Sequence, residues 1–329
     1  MTKELNRRKL ITLISGAAVA WPIATRAQQP QTPVIGFLHG GAPAQNADRL
    51  AGFRKGLRET GFVEGQNVEI EFRWAEGQTE RLPELAADLV RRQVAVIATL
   101  SASQAAVAAK AATNTIPIVF QVGSDPIAMG LVASLSRPGG NATGISTLNA
   151  EITEKRIGLL RELVPQAAVI GVLVNPTNPS AGEISRDVQA TAVGVQLQIL
   201  PARTDSEIEA AFATPTLQKR GALVVSTDPL FFIRRTQLAA LAARNGVPTI
   251  YYDRQFAYSG GLMSYGTDSV SAWQQAATYV SRILKGERPA DLPVAQAAKF
   301  EMVINLKTAK TLGVSFPPTL LALADEVIE

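Results

Sequence analysis

Short apolar runs alternate with amphipathic stretches along almost the whole chain, and the alternation starts twice. The first series opens on Val34-Ile35-Gly36-Phe37-Leu38. Apolar spacing of i, i+3 and i+4 then predicts a helix over 46–60, stopped at Gly61. Val68, Ile70, Phe72 and Trp74 alternate with polar residues, as in a half-buried strand. A helix over 82–92, a buried strand over 94–98, an Ala-rich helix over 103–113, a strand over 118–120 and a helix over 127–136 follow. After Glu151 the rhythm restarts with a helix to Val164 and the run Val169-Ile170-Gly171-Val172-Leu173, which echoes the opening pentamer. Strands near 195–200, 222–226 and 249–252 are expected, with helices near 181–193, 205–212 and 232–245 between them. A helix over 269–285 follows, and 308–327 reads as mostly helical around Pro317-Pro318. Strand–helix alternation with short links means a parallel sheet covered on both faces. The fold class is therefore α/β, with two doubly wound parallel-sheet lobes.

Residues 1–27 read as an export leader. Lys3, Arg7, Arg8 and Lys9 precede a short apolar run over 10–20, and Thr25-Arg26-Ala27 offers a small-residue cleavage site before Gln28. The run is about half the ~20 apolar residues of a membrane span. Arg7-Arg8 resembles a twin-arginine signal, although Leu10 stands where Phe is usual and no Lys follows Ile11. The alternative is an ordinary Sec signal with two chance arginines. The chain of 329 residues carries a net charge of +4. Five basic residues of the leader, set against Glu4, supply all of that excess. The mature chain is near neutral and has no basic block to track phosphates, so nucleic-acid binding is not expected. About 300 mature residues suit two domains. There is no cysteine, which excludes disulfides, thiolate catalysis, Cys-ligated zinc and a lipidated N-terminal Cys. A soluble periplasmic product is expected.

Ligands of open parallel sheets bind beyond the carboxyl ends of the strands. That rule selects the loops at His39-Gly40-Gly41, 99–104, 121–126, 175–178, 227–229, 252–254 and Tyr265-Gly266. Ser101, Ser103 and Ser124 would be hydroxyls beside helix N-termini, which suit a carboxylate. Asp228, and also Asp125, could receive an ammonium. Each of these Ser and Asp residues is equally read as a plain helix cap. His39 is the sole histidine and cannot build a metal site or a Ser/His/Asp set. Pro138-Gly139-Gly140-Asn141-Ala142-Thr143-Gly144 lacks the Gly-Lys-Ser/Thr ending of a phosphate loop and reads as a turn between lobes. Glu69 and Glu71 share a strand face and read as a solvated edge. No catalytic set assembles, so no enzyme activity and no cofactor or metal is implied.

Several longer stretches carry a family resemblance. They include the residues 53–67, from Phe53-Arg54-Lys55-Gly56-Leu57 to Gly65-Gln66-Asn67, then Phe72-Arg73-Trp74-Ala75-Glu76-Gly77 and Pro117-Ile118-Val119-Phe120. Gly130-Leu131-Val132-Ala133-Ser134-Leu135-Ser136-Arg137-Pro138-Gly139-Gly140-Asn141, Asp228-Pro229-Leu230-Phe231, Gly260-Gly261-Leu262-Met263-Ser264-Tyr265-Gly266 and the residues 300–310 complete it. Together they resemble ABC-transporter substrate-binding proteins of the type I periplasmic-binding fold, the group with tryptophan/tyrosine-type binding components. The resemblance implies two lobes, 33–145 plus about 266–292 and 146–265 plus about 293–329, with crossings near 144–148, 265–268 and 292–298. A small carboxylate-bearing ligand, amino-acid-like or an aromatic acid, would sit between them and be enclosed by hinge closure. By that similarity Ser101, Ser103 and Ser124 are carboxylate candidates and Asp228 the ammonium candidate. Gln104, Asp125 and Asn175 belong to the same loops, and Phe231, Tyr252 and Tyr265 would pack a ring. Leu100-Ser101-Ala102 departs from the Gly-Thr-Pro common in the family at that loop. The implied partner is an ABC permease of the inner membrane, met by a monomeric receptor; the alternative is a sensor feeding a membrane signalling protein.

Overall fold

The computed structural model describes residues 32–147, 149–178, 181–190, 196–297 and 299–329. The expected leader lies outside them, as does the end of the helix expected over 181–193. In chain order the first strands are β1 (Val34–His39), β2 (Glu69–Trp74), β3 (Val96–Thr99), β4 (Ile118–Val122) and β5 (Ala142–Ser146). Then come β6 (Val169–Val174), β7 (Gln196–Pro201), β8 (Gly221–Val225), β9 (Thr249–Tyr251) and β10 (Met263–Thr267). Three more follow, β11 (Ala295–Gln296), β12 (Phe300–Asn305) and β13 (Glu326–Ile328). One sheet has the order β11-β5-β4-β3-β1-β2 and the other β13-β12-β10-β9-β8-β6-β7. All pairings are parallel except β10 with β12. Chain order 2-1-3-4-5 therefore occurs in both sheets, which is the doubly wound arrangement with its switch point beside the first strand.

The pentamer echo has a packing cause. β1 and β6 hold the same place in their sheets, and a Cβ on Gly36 would lie 3.0 Å from Leu89, one on Gly171 2.8 Å from Leu200. The flanking residues divide by face. Ile35 and Phe37 enter one core, Leu38 the opposite one; Ile170 and Val172 enter a third, Leu173 a fourth. Two sheets with both faces covered explain why their strands read as continuous apolar runs.

The helices are α1 (Ala47–Glu59), α2 (Leu82–Arg91), α3 (Ser103–Ala112), α4 (Asn149–Leu163), α5 (Ala181–Ala190), α6 (Asp205–Phe212) and α7 (Pro215–Arg220). They continue as α8 (Pro229–Ile233), α9 (Arg235–Arg244), α10 (Arg254–Tyr258), α11 (Ser269–Leu284), α12 (Leu306–Leu312) and α13 (Pro318–Leu323). In α2, Leu82, Ala86 and Leu89 are buried, one helical face. α11 leaves the second sheet and returns to cover the first. It lies so close to α1 that a Cβ on Gly56 would meet the Gln274 carbonyl oxygen at 2.3 Å. The chain passes between sheets after β5, after β10 and after β11.

Three expected elements differ. The segment 127–136 is a series of turns rather than a helix: Gly130 takes φ +69° and only Leu131 and Val132 lodge in the core. The 138–141 segment leads into β5 of the same sheet instead of joining lobes. There Asn141 accepts from Lys110 Nζ at 2.6 Å and donates to the carbonyls of Thr113 and Ile116. The C-terminal segment is two short helices, and its last residues pair with β12 as β13, because Gly313 in the left-handed region ends α12. Glu71 lies on the edge strand β2, ion-paired to Arg73 and Arg92.

Candidate functional site

The carboxyl ends of both sheets open onto one cavity. The first lobe lines it with His39 after β1, Ser101, Ser103 and Gln104 after β3, Gln121 to Gly123 at the end of β4, and Arg49 from α1. The second lobe contributes Asn178 after β6, Thr227 to Pro229 after β8, Tyr252 and Asp253 after β9, Phe232 from α8 and Arg156 from α4.

Of the sequence-selected residues, Ser101, Ser103, Gln104, Asp228 and Tyr252 line this cavity. Ser101 adopts φ +53°; its hydroxyl donates to Gln121 Oε1 at 3.0 Å and accepts from Trp273 Nε1 at 2.9 Å. Its one proton is thus committed inside the protein. Gln104 Nε2 donates at 3.5 Å to the Thr177 carbonyl of the facing lobe. Asp228 is 2 % exposed and caps α8, accepting from Leu230 N at 2.7 Å, Asn178 Nδ2 at 2.7 Å and Asn175 Nδ2 at 3.2 Å. Burial pushes its carboxyl above the ordinary range, and the two amides act against that rise. The backbone N–H groups of Leu230 and Phe231 likewise support the charged form. Tyr252 donates its hydroxyl to the Asp228 carbonyl at 2.7 Å.

The others stand back from the cavity wall. Ser124 is buried beside Gly123, and Asp125 is exposed and caps a turn through Ile127 N at 2.8 Å. Asn175 orients Asp228. Phe231 is fully buried in the core under α9. Tyr265 stacks on Phe300, and it is its carbonyl that serves the site, accepting from Arg156 Nε at 2.7 Å.

Residues that the sequence does not single out as binding groups carry the cavity's strongest electrostatics. Arg156 is 1 % exposed and has no ion pair among the described residues; burial lowers its guanidinium to about 9, with Tyr252, Tyr265 and Asp253 acting against the fall. His39 sits against Phe37, Trp74 and Trp273 and accepts from Gly41 N at 2.8 Å through Nδ1. Its proton is therefore on Nε2. Burial, with Arg49 nearby, pushes it down to about 3, so the ring is neutral. Arg49 spans the lobes: it ion-pairs with Asp253, donates to Asn46 Oδ1 at 2.9 Å and lies 4.1 Å over the Phe232 ring. Ser269 also donates to Asp253, at 3.1 Å. Arg49 and Arg156 sit inside helices, where inward orientation shows only once the helices are packed. His39 was visible as a loop residue, but its lack of a catalytic partner drew attention away from binding.

Comparison with known proteins agrees with this geometry. A protein of Clostridioides difficile named tyrosine-binding protein is 29 % identical over 268 residues, 79 % of this chain and 75 % of its own. A Streptococcus pneumoniae ABC domain in complex with L-Trp superposes with a TM-score of 0.82 at 26 % identity, over 90 % of this chain and all of that one. A ligand-free, open substrate-binding protein from Clostridium difficile scores 0.66 at 25 % identity over 90 % of this chain and 99 % of its own. The family described as ABC transporter substrate binding protein matches residues 34–328, and the chain belongs to it.

Proposed function

We propose that the protein is an exported receptor that encloses a small carboxylate-bearing metabolite, amino-acid-like or an aromatic acid, and delivers it to an ABC importer of the inner membrane. The observation that carries this reading is the cavity itself. It is enclosed by strand ends from two sheets and lined by buried charged and polar groups of both lobes. Only a ligand that touches both lobes can favour the closed state. The two lobes, one built on each sheet, would hinge at the three crossings after β5, β10 and β11. Asp228, buried on the cavity wall, would receive an ammonium where the ligand has one. The L-Trp complex and the tyrosine-binding relative support an amino-acid-like ligand. Among the described residues no helix is long and apolar enough to cross a membrane, which fits a receptor that meets its permease from outside the bilayer.

The test is a thermal-shift screen of the purified protein against amino acids, aromatic acids and short sugars. A ligand at ~100 times its dissociation constant adds roughly 2.7 kcal/mol to folding stability, several degrees for a chain of this size. Asp228→Ala should weaken an amino-acid ligand without unfolding the protein. A screen with no shift, backed by flat calorimetric titrations, would refute the receptor reading.

A further inference from the structure

Four of the five loop residues considered for a carboxylate or ammonium, Ser101, Ser124, Asp125 and Asp228, already have partners in the protein, so the cavity's unmet demand lies elsewhere. Among the described residues, several buried side-chain polar atoms have no hydrogen-bond partner: His39 Nε2, Arg156 Nη1 and others on residues away from the cavity. The two that belong to cavity-lining residues come one from each lobe. Both are N–H donors, Arg156 by its chemistry and His39 because its Nδ1 already accepts from Gly41. Buried donors without acceptors are rare in folded proteins and call for an explanation.

Charge points the same way. Arg49 forms an ion pair with Asp253, whereas among the described residues the hydrogen bond of Arg156 is to a neutral group, Nε to the Tyr265 carbonyl. A desolvated guanidinium with one edge committed and Nη1 free is a receptor for a carboxylate oxygen. Ser101, the obvious hydroxyl, has given its proton to Gln121 and offers nothing in exchange.

We propose that Arg156 is the carboxylate anchor of the cavity, and that His39 Nε2–H, facing it from the other lobe, donates to a second acceptor on the same ligand. This rests on the receptor reading above and adds to it the residue that sets the substrate class: an anionic acid is accepted and its neutral amide is rejected. One contact from each lobe also makes the ligand itself the tie that holds the lobes shut.

The probes are matched acid and amide pairs, L-tyrosine with L-tyrosinamide and phenylacetate with phenylacetamide, titrated by calorimetry into the full receptor. Wild type should bind the acid of a pair at least about 30-fold tighter than its amide, the loss of one charge-assisted contact in a dry site. Arg156→Gln should remove that preference by weakening the acid and leaving the amide within about threefold. Arg156→Lys, which keeps the charge, should restore part of it. His39→Phe, or His39→Gln if the first does not fold, should weaken acid and amide alike by about fivefold or more, with their ratio kept. Acid binding undiminished in both Arg156 variants would overturn the anchor while the receptor reading stands. Affinity unchanged in the folded His39 variants would overturn the second contact. Failure of wild type to bind any acid or amide would end the receptor reading and this inference with it.

Discussion

Arg156→Met should make the ligand-free protein more stable. The wild-type guanidinium is 1 % exposed, and burial lowers it from 12.5 to about 9. A fall of that size corresponds to about 5 kcal/mol against the charged form in the native state. The sign follows from linkage. Native and unfolded chains both carry the charge at neutral pH, so the whole penalty is present there and is relieved only as pH rises beyond 9. A methionine of similar length has no charge to desolvate. Against this stands the hydrogen bond from Nε to the Tyr265 carbonyl, 2.7 Å long, whose loss strands a buried acceptor for about 1–3 kcal/mol. The balance favours the variant by about 2 kcal/mol, or some 4–8 °C in Tm. Urea denaturation of protein refolded to strip any carried ligand measures this directly. Saturating acid should reverse the order, because only wild type gains the ~2.7 kcal/mol that a ligand at 100 times its dissociation constant provides. A ligand-free variant less stable than wild type would refute the reasoning, since the charge would then already be compensated in the empty cavity.

Other perturbations have equally definite outcomes. His39, held at about 3, stays neutral in the native state while the unfolded ring takes a proton below 6.5. Stability from this group is therefore complete above 6.5 and falls by about 2 kcal/mol between pH 7 and 5. Glu301, pushed up to about 7 by burial, works in the opposite direction over the same window, because its native form gains the proton first. The gap between wild type and His39→Gln isolates the histidine: it should shrink by about 2 kcal/mol on acidification in paired urea melts, and a constant gap would contradict the assignment. Arg49→Ala removes the buried interlobe ion pair with Asp253 and should speed release of a bound acid about tenfold or more in stopped-flow; an equal release rate would show that the clasp does not hold the closed form. Gly266→Ala would place a Cβ 1.9 Å from the Tyr252 carbonyl oxygen, so a loss of about 3 kcal/mol or more is expected in thermal melts, and wild-type stability would mean the β10 crossing can yield.

The α/β class, the two sheets and most elements could be read from the chain because hydrophobic period is a local property. Val68, Ile70, Phe72 and Trp74 announce a strand wherever they occur, and Gly36 and Gly171 mark where a leucine packs flat on β1 and β6. Errors came where a local pattern competed with a backbone constraint, as at Gly130, whose φ of +69° stops a helix over 127–136. The rule that ligands meet strand ends located the cavity's rim through Ser101, Ser103, Gln104, Asp228 and Tyr252. It could not rank these residues, because a serine or aspartate before a helix looks the same whether it serves the backbone or a ligand. Asp228 does the first through Leu230 N. Nor could it find Arg156. An arginine in Glu154-Lys155-Arg156-Ile157 reads as a solvated helix face, yet Arg156 and Ile157 are buried while the neighbouring Lys155 is exposed. What turns Arg156 inward is α4 packing across β8, β9 and β10, so that one helical position looks onto the Tyr265 carbonyl. A long-range packing event thus decides whether a charge is solvent decoration or the group that selects a ligand. A buried cation with no ion pair among the described residues is stable only within a fold robust enough to carry its cost, and an anionic ligand would relieve that cost.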